Sequence, residues 1–207
     1  MRDQPIENII FDLGGVLVDW DPKYLYNKVF NYDQEKLNWF LENICTSDWN
    51  VEQDAGRSLA EATNLLIEKH PEQELYIRMF YDRWEEMLKG EIHGTVEILE
   101  QIKQKNQKQL YALTNWSAET FPIALERFDF LGFFKGIVVS GTEKTRKPFD
   151  DIYLILLRRY NLTASASLFI DDNRENVEAA RRNGLIGIHF QDPNQLRSEL
   201  EELGILI

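Results

Sequence analysis

The apolar residues of this chain follow two patterns. Near the start of the chain, and again from residue 92 onward, short unbroken apolar runs are separated by segments in which apolar residues recur at helical spacing. An unbroken run is typical of a strand buried on both faces of a parallel sheet, and a helix between two such strands implies a right-handed crossover. The predicted strands are residues 9–11, 110–113, 136–139, 168–170 and 187–190. The predicted helices are residues 96–105, 121–128, 151–160, 176–183 and 193–203.

Residues 23 to about 92 are patterned differently. Their apolar residues recur at helical spacing throughout, polar breaks such as residues 54–56 divide them, and no part reads as a buried strand. This pattern predicts three to five helices packed as a small bundle. The sequence therefore predicts an α/β fold with a Rossmann-like parallel-sheet core of about five strands, residues 1–19 and 93–207, and an inserted α-helical cap, residues 20–92.

Composition narrows the choice of partners and compartment. The 35 acidic and 23 basic residues give a net charge of −12, which disfavours binding to nucleic acid or to an anionic membrane. No apolar run approaches membrane-spanning length, and the N-terminal residues lack a hydrophobic signal core. A single cysteine, Cys45, excludes an internal disulfide and fits a reducing compartment. We expect a cytoplasmic protein, and the sequence leaves its oligomeric state open.

Polar residues that can carry chemistry follow the predicted strands. Because all strands of a parallel sheet end at the same edge, residues at these ends converge on one crevice, which is where open α/β sheets bind ligands. Lys147 lies on the loop after the third predicted strand, just before Pro148. The residues at the other strand ends are Asp12, Thr114, Asn115, Asp171 and Asp172.

Several carboxylates in one crevice would repel one another unless a cation neutralised them. Hard oxygen ligands with room for water suit Mg²⁺ better than a transition metal. A carboxylate nucleophile, Mg²⁺, a lysine and a hydroxyl donor together form a site for phosphoryl transfer.

Four separated motifs carry a resemblance to a known superfamily. They are Phe-Asp-Leu-Gly-Gly-Val-Leu (11–17), Leu-Thr-Asn (113–115), Lys-Pro (147–148) and Phe-Ile-Asp-Asp-Asn-Arg-Glu-Asn (169–176). In this order, each at a strand end, they resemble the four motifs of the haloacid dehalogenase-like hydrolases. The chain is similar to the members whose helical cap is inserted after the first strand, and in particular to the phosphatases.

The resemblance implies a role for each motif residue. Asp12 would attack phosphorus and form an aspartyl-phosphate, which water then hydrolyses. The Thr114 hydroxyl and the Asn115 amide would hold phosphoryl oxygens. Lys147 would neutralise both Asp12 and the charge that develops on the phosphoryl group.

The resemblance also implies a Mg²⁺ site. Its ligands would be the Asp12 carboxylate, the backbone carbonyl of Gly14 and the carboxylate of Asp172. We favour Asp172 over Asp171 as the direct ligand because Asp171 occupies the place of a glycine that usually precedes the ligand aspartate. Asp171, Asn173 and Asn176 would be further or outer ligands.

Gly14 departs from the usual phosphatase pattern. Most phosphatases of the superfamily carry at this position a second aspartate, which acts as general acid and base. Without it, we expect a preference for phosphates with good leaving groups, such as sugar 1-phosphates. Asp19 and Asp21 lie nearby in sequence, and we expect Asp19 to buttress the turn or the cap linker.

These features favour a Mg²⁺-dependent phosphatase acting on a small phosphorylated metabolite, with sugar phosphates as candidates. A haloacid dehalogenase is an alternative, because its chemistry needs neither metal nor general acid. The paired Asp171 and Asp172 speak against it. The missing general acid also leaves open a catalytically weak binding or regulatory module.

Overall fold

A computed structural model describes residues 5–206, so residues 1–4 and 207 of the predicted core lie outside the described part. Within the described residues, seven strands form two sheets. Five of them make a parallel sheet, in which the first strand is central. The strands are β1 (Asn8–Phe11), β2 (Val18–Trp20), β3 (Leu88–Glu91), β4 (Gln109–Thr114), β5 (Gly136–Val139), β6 (Ser167–Asp171) and β7 (Ile186–His189).

The parallel sheet has the order β5-β4-β1-β6-β7, which confirms the predicted α/β fold. All four residues of β1 are buried, as the unbroken apolar run predicted. Phe11, the last residue of β1, is in register with Ala112 of β4 and Ile170 of β6. The ends of β1, β4 and β6 are therefore side by side at one edge of the sheet.

Helices cover both faces of this sheet, which buries its alternate side chains in two clusters. Ile10 and Phe169 pack with Ile152 on one face, and Ile9 and Leu168 pack in the other cluster. Five helices precede β3 in the chain: α1 (Lys23–Val29), α2 (Gln34–Asn43), α3 (Ser47–Asp54), α4 (Leu59–Lys69) and α5 (Glu74–Asp82). The helices that follow β3 are α6 (His93–Lys105), α7 (Phe121–Arg127), α8 (Ser140–Glu143), α9 (Asp150–Arg159), α10 (Arg174–Arg182) and α11 (Pro193–Glu202).

The helical insert, α1 to α5, lies between β2 and β3, which pair antiparallel as a two-stranded ribbon. The sequence did not predict this ribbon, and β3 lies within the stretch in which no strand was expected. The two strands are short, mostly outside the core and irregular in register between Asp19 and Trp20. Such strands lack the apolar signal by which the buried strands were found.

The insert has an aromatic core of its own. The rings of Tyr26 and Phe40 have centroids 4.8 Å apart, and Phe80 packs beside them. The Tyr26 hydroxyl donates a hydrogen bond to the backbone carbonyl of Tyr76, 2.8 Å away. Within residues 5–206, no helix combines the length and the apolar character needed to cross a membrane.

Candidate active site

Asp12 follows β1 directly and lies at the edge where the strands end. Its backbone amide continues the sheet by donating to the Ile170 carbonyl at 2.8 Å. The backbone amide of Leu13 donates to Asp12 Oδ1 at 2.7 Å, and Asp12 is only 7% exposed. The carboxylate is therefore fixed in orientation and largely shielded from water.

Lys147 is the cation of the site. Its Nζ lies 2.8 Å from Asp12 Oδ1 and 2.6 Å from Asp171 Oδ2, and the residue is 1% exposed. Burial acts to lower the pKa of Lys147, but the carboxylates of Asp12 and Asp171 outweigh burial and raise the pKa. The ammonium stays charged between two carboxylates.

Asn115 fixes the loop that carries Lys147. The Lys147 backbone amide donates to Asn115 Oδ1 at 2.9 Å, and Asn115 Nδ2 donates to the Lys147 carbonyl at 3.0 Å. Both polar atoms of this side chain are thus engaged with one backbone unit. Asn115 was predicted to hold phosphoryl oxygens, and in this structure its side chain positions the lysine.

The two consecutive aspartates of the fourth motif are in different surroundings. Asp171 is fully buried, and besides Lys147 it accepts from the Asn173 amide and from Asn176 Nδ2, at 2.8 and 3.0 Å to its Oδ1. Asp172 is exposed, and its carboxylate lies against Gly15. The hydrogen-bonding capacity of Asp171 is therefore used within the protein, and Asp172 faces the crevice.

Gly15 is what allows Asp172 to approach. Its φ is +73°, a left-handed conformation that suits glycine, and a Cβ added there would lie 2.2 Å from Asp172 Oδ2. Gly14, by contrast, has no atom within 4 Å of an added Cβ. The close approach of Asp172 therefore requires a glycine at position 15 but not at position 14.

Carboxylate oxygens of Asp12, Asp171 and Asp172 lie within 4.8 Å of one another. Burial raises the pKa of Asp12 well above its usual range, and the charges of Asp171 and Asp172 raise it further, although Lys147 acts in the opposite direction. Three carboxylates thus face one ammonium. A divalent cation would balance them, and the hard oxygen donors fit Mg²⁺.

Thr114 ends β4 beside these groups. It is fully buried, and its hydroxyl has no hydrogen-bond partner among residues 5–206. A buried hydroxyl in a protein normally has a partner. This hydroxyl is therefore available to a bound ligand.

A cleft of about 90 Å³ lies between the core and the helical insert, and Gly14 and Asn115 of the sequence motifs are among its lining residues. Four aromatic residues and several polar ones surround it. The lining residues are Gly14, Trp20, Asn50, Asp54, Tyr81, Trp84, Asn115, Trp116, Ser117 and Thr120.

Asp19 and Asp21 have partners of their own away from this cleft. The Asp19 carboxylate accepts from the Tyr24 hydroxyl at 2.8 Å and pairs with Lys89 at 3.2 Å, so it links β2 to α1 and to β3. Asp21 Oδ1 accepts from the Lys23 amide at the start of α1. Among the described residues that line the cleft, the one carboxylic acid is Asp54, which in sequence stands out only as part of the polar break of residues 54–56.

A parallel sheet with an acidic cluster at its carboxyl edge, and a helical insert after the first strand, defines a class of hydrolases. Residues 9–189 match the family described as haloacid dehalogenase-like hydrolase, and the chain belongs to that family. The prediction from the four motifs is confirmed.

Individual relatives share about a third of their residues or fewer with this chain over the matched regions. The chain is 29% identical over 191 residues to the phosphorylated carbohydrates phosphatase of Thermotoga maritima, covering 89% of this chain and 84% of that protein. It is 34% identical over 94 residues to a sesquiterpene phosphatase of Aspergillus oryzae, covering 45% of this chain and 48% of the relative, about half its length. The structure of a family enzyme from Bacteroides thetaiotaomicron, in complex with magnesium, has a TM-score of 0.70 at 18% identity and covers 91% of this chain and 95% of its own, which shows a shared fold.

Proposed function

We propose that this protein is a Mg²⁺-dependent phosphatase that hydrolyses a small phosphorylated metabolite through an aspartyl-phosphate on Asp12. The observation that carries the proposal is the position of Lys147, whose ammonium lies between the carboxylates of Asp12 and Asp171. An ammonium there opposes the effect of burial on the pKa of Asp12, which favours the ionised form needed for attack, and it neutralises charge on the phosphoryl group.

The other residues take complementary roles in this proposal. Asp12, the Gly14 carbonyl and Asp172 would hold Mg²⁺, with Asp171 contributing to the site as the partner that orients Lys147. Mg²⁺ held by these residues would supply positive charge that stabilises the phosphoryl group. The free Thr114 hydroxyl donates to a phosphoryl oxygen, and Asn115 keeps the Lys147 loop in place.

The cleft supports a sugar phosphate as substrate. The faces of a sugar ring pack on aromatic rings, here Trp20, Trp84 and Trp116, and its hydroxyls bond to polar side chains such as Asn50. The phosphatase of Thermotoga maritima is named for phosphorylated carbohydrates, which agrees with this choice. In the same proposal, residues 20–92 form a cap over a core of residues 1–19 and 93–207, in a cytoplasmic protein.

The direct test is hydrolysis of a panel of phosphorylated sugars and of acetyl phosphate with millimolar Mg²⁺. We expect activity that EDTA abolishes and excess Mg²⁺ restores. Asp12→Asn should lower kcat by about 10⁴-fold or more, because an amide of the same shape is a poor nucleophile. Circular dichroism and thermal melting would show that this variant retains its fold.

Contrary results would identify the alternatives. Release of halide from 2-haloacids, without metal and in place of phosphate release, would indicate a dehalogenase. Binding of phosphorylated ligands without turnover would indicate a binding or regulatory module. Substantial activity in purified Asp12→Asn would refute the covalent mechanism.

A further inference from the structure

The helical insert contributes one carboxyl group, that of Asp54, to the cleft that Gly14 also lines. Asp54 is the last residue of α3, and it lines the same cleft as Gly14 and Asn115. The backbone amide of Ser117, two residues beyond Asn115, lies near enough to its carboxylate to lower the pKa of Asp54. Asp54 therefore faces the phosphoryl-binding end of β4 from the opposite side of the cleft.

Contacts between insert and core hold this end of α3 in place. Gly56, two residues after Asp54, has a φ of +101°, and a Cβ added there would lie 3.1 Å from the Gly141 carbonyl. The amide of Leu59 donates to Glu119 Oε1 of the core at 2.8 Å. Arg57 folds back on α3 and donates to Gln53 Oε1 at 2.8 Å. The carboxyl group is thus presented by a fixed turn.

The surroundings of Asp54 adapt it to exchange protons near neutral pH. Burial raises the pKa of Asp54 to about 7, against the Ser117 amide and the charges of Arg146 and Lys147, which lower the pKa. Tyr81 of α5 is a further titratable group close to it. Both forms of the carboxyl group are populated where a general acid and base works best.

We propose that Asp54 is the general acid and base of the reaction, acting from the insert in place of the side chain that Gly14 lacks. This role rests on the proposed phosphatase function. It reverses the expectation drawn from Gly14 alone, because a proton donor removes the need for a good leaving group.

The proton moves in two steps. As the bond between Asp12 Oδ and phosphorus forms and the ester P–O bond breaks, Asp54 gives its proton to the departing oxygen, and the product leaves as an alcohol. Water then attacks phosphorus and passes a proton to the Asp54 carboxylate while the Asp12 Oδ–P bond breaks. Inorganic phosphate leaves, and both aspartates return to their starting forms.

The test compares the wild-type protein with Asp54→Asn and Asp54→Ala on phosphates of graded leaving-group pKa, from p-nitrophenyl phosphate to alkyl phosphates. We expect a shallow dependence in the wild type. In both variants kcat/KM should fall about 10²–10⁴-fold for alkyl phosphates and much less for p-nitrophenyl phosphate, so the dependence becomes steep. Asp48→Asn, an exposed aspartate of the same helix, is the matched control and should behave as the wild type.

Two further measurements separate acid catalysis from positioning. Hydrolysis of alkyl phosphates by the wild type should decline as the pH rises above about 7, because Asp54 then loses its proton, and this decline should be absent in Asp54→Asn. Adding Gly14→Asp to Asp54→Asn should recover part of the lost rate, because the space around Gly14 is open.

The possible failures are distinguishable. A wild-type protein that hydrolyses phosphates but has a steep leaving-group dependence would overturn the role of Asp54 and leave the phosphatase function standing. An equal loss on all substrates in the Asp54 variants would overturn it as well. A wild-type protein that hydrolyses none of the phosphates, acetyl phosphate included, would overturn the phosphatase function and the role of Asp54 with it.

Discussion

At the scale of single residues, the neighbouring Asp171 and Asp172 lie in different surroundings. Asp171 is buried and binds Lys147, the Asn173 amide and Asn176, whereas Asp172 is exposed at the crevice. A buried carboxylate that satisfies several donors contributes to the fold, and an exposed one is free to bind a cation. Substitution of each aspartate should therefore affect a different measured property.

We predict that Asp172→Ala weakens Mg²⁺ binding with little change in thermal stability. Asp171→Ala should have the smaller effect on Mg²⁺ affinity but lower the free energy of unfolding by about 3–5 kcal/mol, because the ammonium of Lys147 loses one of its buried partners. Calorimetric Mg²⁺ titration and thermal melting of both variants measure the two effects. If Asp171→Ala lost more Mg²⁺ affinity than Asp172→Ala, the order of the two ligands would be wrong.

At the scale of elements, the turn after β1 is shaped by its second glycine. Gly15 has a φ of +73°, and the Asp172 carboxylate lies where a Cβ of residue 15 would be. The position of Asp172 in the fourth motif therefore depends on a glycine in this turn. The pair Gly14-Gly15 looks uniform in sequence, and only the structure separates their roles.

We expect Gly15→Ala to destabilise the protein by about 1–2 kcal/mol through its left-handed backbone, and to weaken Mg²⁺ binding by displacing the Asp172 carboxylate. Gly132→Ala is the control, because its Cβ would meet nothing within 4 Å and its φ is not in the left-handed range. Melting curves and Mg²⁺ titrations would measure both effects. Wild-type Mg²⁺ affinity in Gly15→Ala would show that the close approach is not required.

Sequence patterns predicted the elements whose burial is strong. The five strands of the main sheet lie within a residue or two of the predicted positions. The three central strands, β1, β4 and β6, each bury an apolar run, whereas β7 at the edge buries only Ile188. The convergence of Asp12, Lys147 and Asp171 followed from the parallel topology alone. The ribbon of β2 and β3 and the contact of Asp54 with the cleft were missed. The sequence of the ribbon has no apolar alternation that would mark its strands. The position of Asp54 depends on how the insert packs on the core, which no local sequence pattern reports.

At the scale of the whole molecule, insert and core meet around the cleft, and this contact partly buries the carboxyl group of Asp54. The rings of Trp84 in the insert and Trp116 in the core have centroids 5.7 Å apart, and Leu59 is bonded to Glu119 nearby. The packing of the insert on the core thus partly shields Asp54 from water. A carboxyl group with a raised pKa makes the stability of the folded protein dependent on pH.

The direction of this dependence follows from the raised pKa. The ordinary pKa of an aspartate is 3.8, and burial raises that of Asp54 to about 7 in the folded protein. Below about pH 4 the group is protonated in both the folded and the unfolded states. As the pH rises toward 7, the unfolded chain releases the proton first, so the contribution of Asp54 to stability is progressively lost.

We therefore predict that Asp54→Asn becomes more stable than the wild type as the pH rises, since an amide stays neutral throughout. Between pH 5 and pH 8 the difference in unfolding free energy should grow by an amount on the order of 2 kcal/mol, at about 1.4 kcal/mol per pKa unit and reduced for partial exposure. Each kcal/mol corresponds to about 2–4 °C in Tm for a chain of this size. Thermal melts at both pH values, with EDTA to remove bound metal, would measure the difference, with Asp48→Asn as the matched control. A difference in Tm that is the same at pH 5 and pH 8 would mean that Asp54 titrates as an ordinary surface aspartate.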